Sequence, residues 1–329
     1  MIRKTALGLA LFCSAVSVAH AKPAYVLFDP PDSIGTFPMR IGDDGSVVGF
    51  FTDEQAANHG FVRHADGTVA TIDPPDATGT WPTAIDSKGV IAGFFATRNL
   101  LPHAFIRRLD GSFTIFAIAH ASLIEPKGFD ADDNMVGFFS DMNGADHGFL
   151  RDRKGVVSQV DFPDATSTDP AAISSNGTVT GSYRDANGVV HGFLQTRGGP
   201  FMTFDPPGSV ATCPVAIDND WTGAGSYEDA SHAVHGFVRA YAGGIVTFDV
   251  VGARATYPEG ISGGGDVAGQ WFDAQNHLHG FVRRADGTIR TFDVPKSLGT
   301  FPQGMNRKGA VTGWWYDSKS TPHGFVRVP

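Results

Sequence analysis

The sequence predicts an all-β fold made of seven similar units, and three observations support this. The first is a His-Gly-Phe or His-Ala-Phe tripeptide that recurs every 44 residues without insertion or deletion. Its histidines are His59, His103, His147, His191, His235, His279 and His323. The second is that residues 22–329 span seven such intervals. The third is the absence of helical periodicity, together with 41 glycines, which favours short strands joined by tight turns.

Each repeat is interpreted as four short strands. The strands expected in the repeat around His103 are residues 82–86, 90–95, 103–107 and 113–116. Asp-Gly pairs such as Asp66-Gly67 and Asp110-Gly111 lie between apolar runs, which is a strong hairpin signal. A repeat of this length with four strands is typical of a propeller blade.

The two chain ends complete each other. Residues 25–29 form a lone fourth strand, whereas residues 323–327 form a third strand whose fourth strand is missing. An open array would need polar capping repeats at both ends, and neither end has that character. We therefore predict a seven-bladed β-propeller of four-stranded blades, its last blade closed by the N-terminal strand.

The first 21 residues are predicted to be a secretory signal peptide. Arg3 and Lys4 precede an apolar run at residues 5–18, and Ala19-His20-Ala21 has the small-residue cleavage pattern. Cleavage after Ala21 would leave residues 22–329 as one domain in the periplasm or outside the cell. Cys213 is the only cysteine of that segment, so no intramolecular disulfide is expected.

The charge balance argues against several partners. Losing residues 1–21 removes two basic residues and no acidic ones, which changes the net charge from −9 to −11. An acidic surface repels nucleic-acid phosphates and anionic lipids, so nucleic acid and membrane surfaces are not expected as partners. Outside the first 21 residues no segment approaches 18 apolar residues, so membrane insertion is not expected either. We expect a monomer that needs no cofactor and no metal.

The repeat motif resembles the HAF-type extracellular repeat proteins of bacteria. His103-Ala104-Phe105, its six HGF variants and the glycine-rich strand Gly89-Val90-Ile91-Ala92-Gly93-Phe94 carry the resemblance over residues 22–329. The resemblance implies secretion and a propeller-like fold. It implies no activity and no catalytic residue.

The repeated histidines are interpreted mainly as structural. Histidines at the third strand of neighbouring blades would lie about 13–16 Å apart, too far to share a metal ion. Six residues before each histidine stands an aspartate, except at Thr97: Asp53, Asp141, Asp185, Asp229, Asp273 and Asp317. Each aspartate is expected to bind its histidine or to cap the intervening loop. Separate functional sites in each blade are the alternative.

A functional surface should break the repeat symmetry, and the residue before a repeated proline does so. In ring order these residues are Tyr257, Phe301, Phe37, Trp81, Glu125, Asp169 and Cys213. We expect them on the loops that lead into the first strands, where the four aromatic rings would form a ligand-binding arc. The alternative is that the rings only fill gaps between blades.

A second asymmetric set is expected along the channel. It comprises Asp86, Asp130 and Asp218, at positions where other repeats have Gly, Ser or Asn. Neighbouring carboxylates there would be close enough to share a cation or a water molecule, although polar channel lining without function is the simpler interpretation.

Three functions remain open from the sequence. The leading hypothesis is a binding or scaffold module that recognises a carbohydrate or a protein surface through one loop face. A polysaccharide lyase or glycosidase that uses Glu125 and Asp169 is the second, and a purely structural envelope protein is the third. No catalytic motif such as H-E-x-x-H or G-x-S-x-G occurs in the chain.

Overall fold

The computed structural model describes residues 24–99 and 102–329, and these residues contain β-strands and no helix. The predicted signal peptide lies outside the described residues. We number the repeats 1 to 7 by their histidines, from His59 to His323. Strand β1 is Tyr25–Phe28, and repeat 1 contains β2 (Ser33–Ile41), β3 (Val47–Asp53), β4 (Asn58–Arg63) and β5 (Val69–Thr71). Repeat 2 contains β6 (Ala77–Ile85), β7 (Ile91–Thr97), β8 (Pro102–Arg107) and β9 (Phe113–Phe116).

The later repeats have the same order of strands. Repeat 3 contains β10 (Leu123–Phe129), β11 (Met135–Ser140), β12 (Asp146–Arg151) and β13 (Val157–Gln159). Repeat 4 contains β14 (Ser167–Ile173), β15 (Val179–Arg184), β16 (Val190–Gln195) and β17 (Phe201–Phe204). Repeat 5 contains β18 (Ser209–Ile217), β19 (Gly223–Asp229), β20 (Val234–Arg239) and β21 (Ile245–Phe248). Repeat 6 contains β22 (Ala255–Ile261), β23 (Val267–Phe272), β24 (Leu278–Arg283) and β25 (Ile289–Phe292), and repeat 7 contains β26 (Gly299–Met305), β27 (Val311–Tyr316) and β28 (Pro322–Arg327).

The strands form four sheets of four strands and one sheet of twelve. Within each repeat, consecutive strands pair antiparallel, as in β2–β3–β4–β5. The twelve-stranded sheet contains repeats 4, 5 and 6, which are linked by the single parallel bridges Val190–Ala211 and Val234–Ala255. The Asp-Gly turns have the expected geometry, because Gly67 and Gly111 adopt φ of 94° and 85°.

The first strand of a repeat is longer than the sequence suggests. In repeat 2 it begins at Ala77, although it was expected to begin at Pro82. The register shifts between Pro82 and Ala84, which marks a β-bulge just after the proline. The bulge lets a residue without an N–H donor lie inside a paired strand. The residue before each proline therefore lies on a strand and not on the expected loop.

Phenylalanines fill the core between repeats. The phenylalanine of each tripeptide is fully buried: Phe61, Phe105, Phe149, Phe193, Phe237, Phe281 and Phe325. Each such side chain contributes about 2–3 kcal/mol through burial of apolar surface. Glycines of the second strand, such as Gly93, allow close approach, because a Cβ there would lie 2.8 Å from the ring of Phe105 and would overlap the Trp81 carbonyl oxygen.

A second interaction recurs between repeats. An arginine at the end of a third strand lies over a phenylalanine that ends the preceding fourth strand, with the guanidinium carbon 4.8–5.1 Å from the ring centre. These pairs are Arg63–Phe28, Arg151–Phe116, Arg239–Phe204, Arg283–Phe248 and Arg327–Phe292. The two remaining repeats have Ile72 with Arg107 and Val160 with Gln195 at these positions.

The N-terminal strand joins the last repeat to the first. Strand β1 pairs antiparallel with β28 along its whole length, from Tyr25–Arg327 to Phe28–Gly324. The ring of Phe28 then packs edge-on against Phe61 of repeat 1, with 5.9 Å between ring centroids. Among the described residues, no helix has the length and apolar character needed to cross a membrane.

Candidate ligand-binding face

Two faces follow from the antiparallel order of strands. The connections from the second to the third strand and from the fourth strand to the next repeat lie on one face, which we call the upper face. The turns that follow first and third strands lie on the opposite, lower face. The two sets differ because the upper connections contain the histidine network and the lower turns contain the Asp-Gly hairpins.

The histidine network holds the upper connections together. In repeat 1, His59 Nδ1 lies 2.7 Å from Asp73 Oδ2 and His59 Nε2 lies 3.2 Å from Asp53 Oδ2. The other oxygen of Asp53 accepts the N–H groups of Gln55 and Ala57 and so caps the loop. The other oxygen of Asp73 accepts the N–H of Gly60. Both roles expected for Asp53 therefore occur together in this loop.

The same arrangement recurs in five further repeats. The distance from Nδ1 to the aspartate after the fourth strand is 2.7–2.9 Å at His147, His191, His235, His279 and His323. The distance from Nε2 to the loop aspartate is 3.3–3.9 Å at the same histidines. Each ring also faces the aromatic ring opposite it on the second strand, as in the pair Phe51–His59, with 5.2 Å between ring centroids.

Repeat 2 lacks this network, and the replacements are coordinated. Thr97 and Ala117 stand where the two aspartates would be, and Ala104 replaces the glycine whose N–H an aspartate would accept. Ile124 replaces a buried threonine that in repeat 1 donates to an aspartate, through Thr36 Oγ1 and Asp29 Oδ1 at 2.6 Å. Ala104 and Ile124 belong to one apolar cluster. One polar network has thus been exchanged for apolar packing as a unit.

The aromatic arc lies on the first strands, in their upper halves. Phe37, Trp81, Tyr257 and Phe301 are half-buried, in contrast to the fully buried phenylalanines of the core. Space for three of these rings comes from a glycine two residues earlier: a Cβ on Gly79 would lie 2.7 Å from the Trp81 ring. Gly35 and Gly299 have the same relation to Phe37 and Phe301.

A second row of aromatic side chains supports the arc, and the sequence analysis missed it. Phe37 stacks on Phe50, Trp81 on Phe94 and Phe301 on Trp314, with centroids 4.8, 5.2 and 5.4 Å apart. Trp314 also meets Phe37 edge-on at 5.6 Å, which connects repeat 7 to repeat 1. The sequence does contain a signal for this row, because the equivalent position of the seven repeats is not uniform. It is aromatic at Phe50, Phe94, Phe138 and Trp314, and it is polar at Ser182, Ser226 and Gln270.

Charged side chains occupy the same first-strand position in repeats 3 and 4. Glu125 accepts a hydrogen bond from Lys127 Nζ at 2.8 Å, and that ammonium group lies 5.0 Å from the centre of the Phe138 ring. Asp169 follows in the next repeat, and its buried Oδ1 has no hydrogen-bond partner among the described residues. Burial raises the pKa of Asp169 to about 6, against the lowering effect of Lys127. Asp169 is therefore a carboxyl group that takes up a proton as the pH falls through about 6.

Arg40 and Glu259 lie on the channel wall, further along the first strands towards the lower face. Arg40 Nη1 donates to the carbonyl oxygens of Met39 and Gln303 at 2.9 and 3.0 Å, and so links repeats 1 and 7. Burial raises the pKa of Glu259 to about 7, although the charge of Arg40 and a hydrogen bond from Gln270 oppose this shift. Desolvation and the charge of nearby Asp169 raise the pKa of the Cys213 thiol.

The predicted channel carboxylates lie at the lower face. Asp86, Asp130 and Asp218 each accept, through Oδ1, the N–H groups two and four residues later, so they cap the turn after the first strand. They line a cavity of about 270 Å³ that extends up to Arg40 and Glu259. Within residues 24–99 and 102–329, no group of three His, Cys, Asp or Glu side chains is arranged to hold a metal ion.

Comparison with known proteins identifies the fold. No family model and no curated protein matches the sequence. Virginiamycin B lyase from Staphylococcus aureus is 18% identical, with a TM-score of 0.61 over 94% of this chain and 99% of that one. The β-propeller domain of the Trilobed protease from Pyrococcus furiosus is 12% identical, with a TM-score of 0.64 over 90% and 95%.

A third similar structure is the acylaminoacyl peptidase of Pyrococcus horikoshii, 13% identical, with a TM-score of 0.61 over 92% of this chain and 51% of that one. Identities this low say nothing about activity. The structural similarities, together with the absence of helix in the described residues, establish that the protein is an all-β protein with a β-propeller fold.

Proposed function

We propose that the protein is a seven-bladed β-propeller whose upper face binds a carbohydrate through the aromatic arc. The seven repeats of equal length support seven blades, and the pairing of β1 with β28 supports closure of the last blade by the N-terminal strand. The repeat motif supports membership of the HAF-type extracellular proteins. The similarity to virginiamycin B lyase supports the fold and adds nothing about the ligand.

The observation that carries the binding proposal is the set of stacked, half-buried ring pairs in consecutive repeats. Phe37, Trp81 and Phe301 keep part of their surface open, unlike the fully buried Phe61 of the core. Their stacking partners hold them in place, so little side-chain entropy remains to be lost on binding. Such rings fit the apolar C–H faces of sugars.

The charged side chains of repeats 3 and 4 supply the polar contacts that a sugar needs. Glu125 and Asp169 offer carboxyl oxygens to hydroxyl groups, and Lys127 offers a donor beside them. Small side chains at Ser182 and Ser226 leave room next to these groups. A neutral, hydroxyl-rich polysaccharide suits this combination better than an apolar protein patch does.

The test is binding of residues 22–329 to an array of glycans and cell-envelope polymers. The variant Trp81→Ala, Tyr257→Ala should bind at least about tenfold more weakly, because two aromatic contacts are lost. Tyr241→Ala is the matched control, since Tyr241 is an exposed aromatic residue on the lower face. The proposal fails if the double variant loses stability but binds as the wild type does, or if only protein partners bind.

One observation favours a second function, hydrolysis or elimination on a bound polysaccharide. The unpartnered Asp169 has a pKa of about 6, and nearby Glu125 accepts a hydrogen bond from Lys127. Acid–base catalysis on a glycosidic bond uses a pair of carboxyl groups, one of which donates a proton. Mass analysis of the bound polymer distinguishes the two functions: cleaved products that disappear in Asp169→Asn would establish an enzyme.

We also propose that the protein is exported and cleaved after Ala21. The basic start, apolar run and Ala-His-Ala site at residues 1–21 support this. The intact mass of protein recovered from the periplasm or medium should correspond to residues 22–329. A cytoplasmic protein that retains Met1 would overturn this part of the proposal.

A further inference from the structure

A pocket of about 270 Å³ lies between repeats 3 and 4 and opens on the lower face. Its walls are largely apolar, and its lining includes Val136, Phe149, Leu150, Val160 and Val179. An engineered cavity of about 150 Å³ with such a lining is enough to bind benzene. The pocket is therefore large enough for one aromatic ring with a short chain attached.

The pocket occurs where the Phe–Arg pair between repeats is missing. Five other junctions place a phenylalanine ring under an arginine guanidinium, but here the two positions hold Val160 and Gln195, and both residues line the pocket. Replacing a phenyl ring by an isopropyl group and shortening the facing side chain removes atoms from both walls. The cavity is thus the space that a ring and a cation fill elsewhere in the molecule.

Charged and polar groups surround the mouth. Arg197 forms ion pairs with Asp130 and Asp132 across the two repeats, so a single guanidinium faces two carboxylates. Gln195 Nε2 donates to the Gly199 carbonyl oxygen at 3.3 Å. The amide oxygen of Gln195 can therefore accept a hydrogen bond from a ligand. Asp130 and Gln195 both line the pocket, so an ammonium group placed where the guanidinium lies at the other junctions would have the Asp130 carboxylate and the Gln195 amide oxygen as neighbours.

We propose that this pocket binds an arylalkylamine, with the aromatic ring in the position of the missing phenylalanine and the ammonium group near Gln195 and Asp130. The ring gains the apolar contacts of Val136, Phe149 and Val179. The ammonium group takes the place of the guanidinium found at the other junctions. The site lies on the opposite face from the aromatic arc and does not depend on the carbohydrate proposal.

Calorimetric titration of the wild type with phenethylamine and with hydrocinnamate tests the proposal. The two probes have similar shape and opposite charge. We expect phenethylamine to bind at least about tenfold more tightly than hydrocinnamate. Absence of phenethylamine binding, or equal binding of the two probes, would overturn the proposal.

Variants that copy the other repeats provide the control. Val160→Phe with Gln195→Arg restores the pair seen at five junctions and should abolish phenethylamine binding while the melting temperature stays equal or rises. If the double variant does not fold, Val160→Ile provides the second test: it copies Ile72 of repeat 1 and should weaken phenethylamine binding. Trp81→Ala should leave amine binding unchanged. Unchanged binding in both pocket variants would place the ligand elsewhere.

Discussion

At the scale of the residue, the histidine network shows how one side chain can hold two loops. Both ring nitrogens of His59 face carboxylates, and a neutral imidazole has only one N–H to donate. Burial lowers the pKa of His59, but the hydrogen bonds to Asp73 and Asp53 outweigh it, so the pKa is raised overall. The network is therefore complete only when the ring is protonated.

The first prediction concerns the pH dependence of stability. Because the pKa of His59 is raised on folding, its contribution is fully present below the unfolded pKa of about 6.5 and is lost as the pH rises through the folded value. His59→Gln should therefore lower the melting temperature more at about pH 5.5 than at about pH 8.5. His103→Gln is the control, since Thr97 and Ala117 replace both aspartates there. A penalty for His59→Gln that is equal at both pH values would contradict the prediction.

The sequence predicted half of this network. A spacing of six residues across one loop made Asp53 a natural partner of His59. Asp73 follows a whole further strand, and only the pairing of β4 with β5 brings it back to the histidine. The spacing along the chain therefore does not suggest that the Asp73 carboxylate binds the ring and accepts the N–H of Gly60.

At the scale of the element, the bulged first strand explains most of what the sequence analysis misplaced. The proline was taken as the start of the strand, but the bulge after Pro82 allows pairing on both sides of it. Trp81 therefore pairs with Phe94 and stacks on it, instead of lying on a loop. The aromatic and acidic asymmetry was visible in the sequence. The pairing of the rings depends on a register shift, and no residue type in the sequence predicts that shift.

The second prediction concerns the close contacts that glycine permits between strands. A Cβ on Gly148 would overlap the Val160 carbonyl oxygen and lie 2.9 Å from Pro170 Cγ. Because backbone atoms cannot move aside as a side chain can, Gly148→Ala should lower the free energy of unfolding by about 1–3 kcal/mol or more. Ala104→Gly, the reverse change at the equivalent position of repeat 2, should cost about 0.5–1 kcal/mol. Urea denaturation of both variants measures the difference, and equal losses would refute it.

At the scale of the whole molecule, the N-terminal strand connects the last repeat to the first. Only four residues form β1, yet they pair with β28 and place Phe28 against Phe61 and Arg63 of repeat 1. The pairing of the two chain ends could be predicted from the sequence, because one end has a fourth strand without a repeat and the other has a repeat without its fourth strand. The packing that joins repeats 7 and 1 involves Arg40, Gln303 and Trp314, which differ from the residues at the other junctions and were not predicted.

The third prediction follows from this strand. A variant that begins at Asp29 loses the burial of Tyr25 and Phe28, so its free energy of unfolding should fall by about 3 kcal/mol or more. It also exposes the backbone edge of β28, which should promote association at high concentration. Leu27→Ala, which changes an exposed side chain of the same strand, should have little effect. Denaturant titration and light scattering measure both outcomes, and a truncated protein that stays monomeric with wild-type stability would show that β1 is dispensable.

The position of the two termini has a mechanical consequence. Val328 N–H donates to the Ala24 carbonyl oxygen at 2.9 Å, so the chain leaves the protein at two neighbouring points of one antiparallel pair. Tension applied through the termini would load the hydrogen bonds between β1 and β28 one after another, as in a zipper, instead of all at once in shear. A protein held under tension by its two ends would therefore open first at this strand pair, at a low force, while the remaining repeats stay folded.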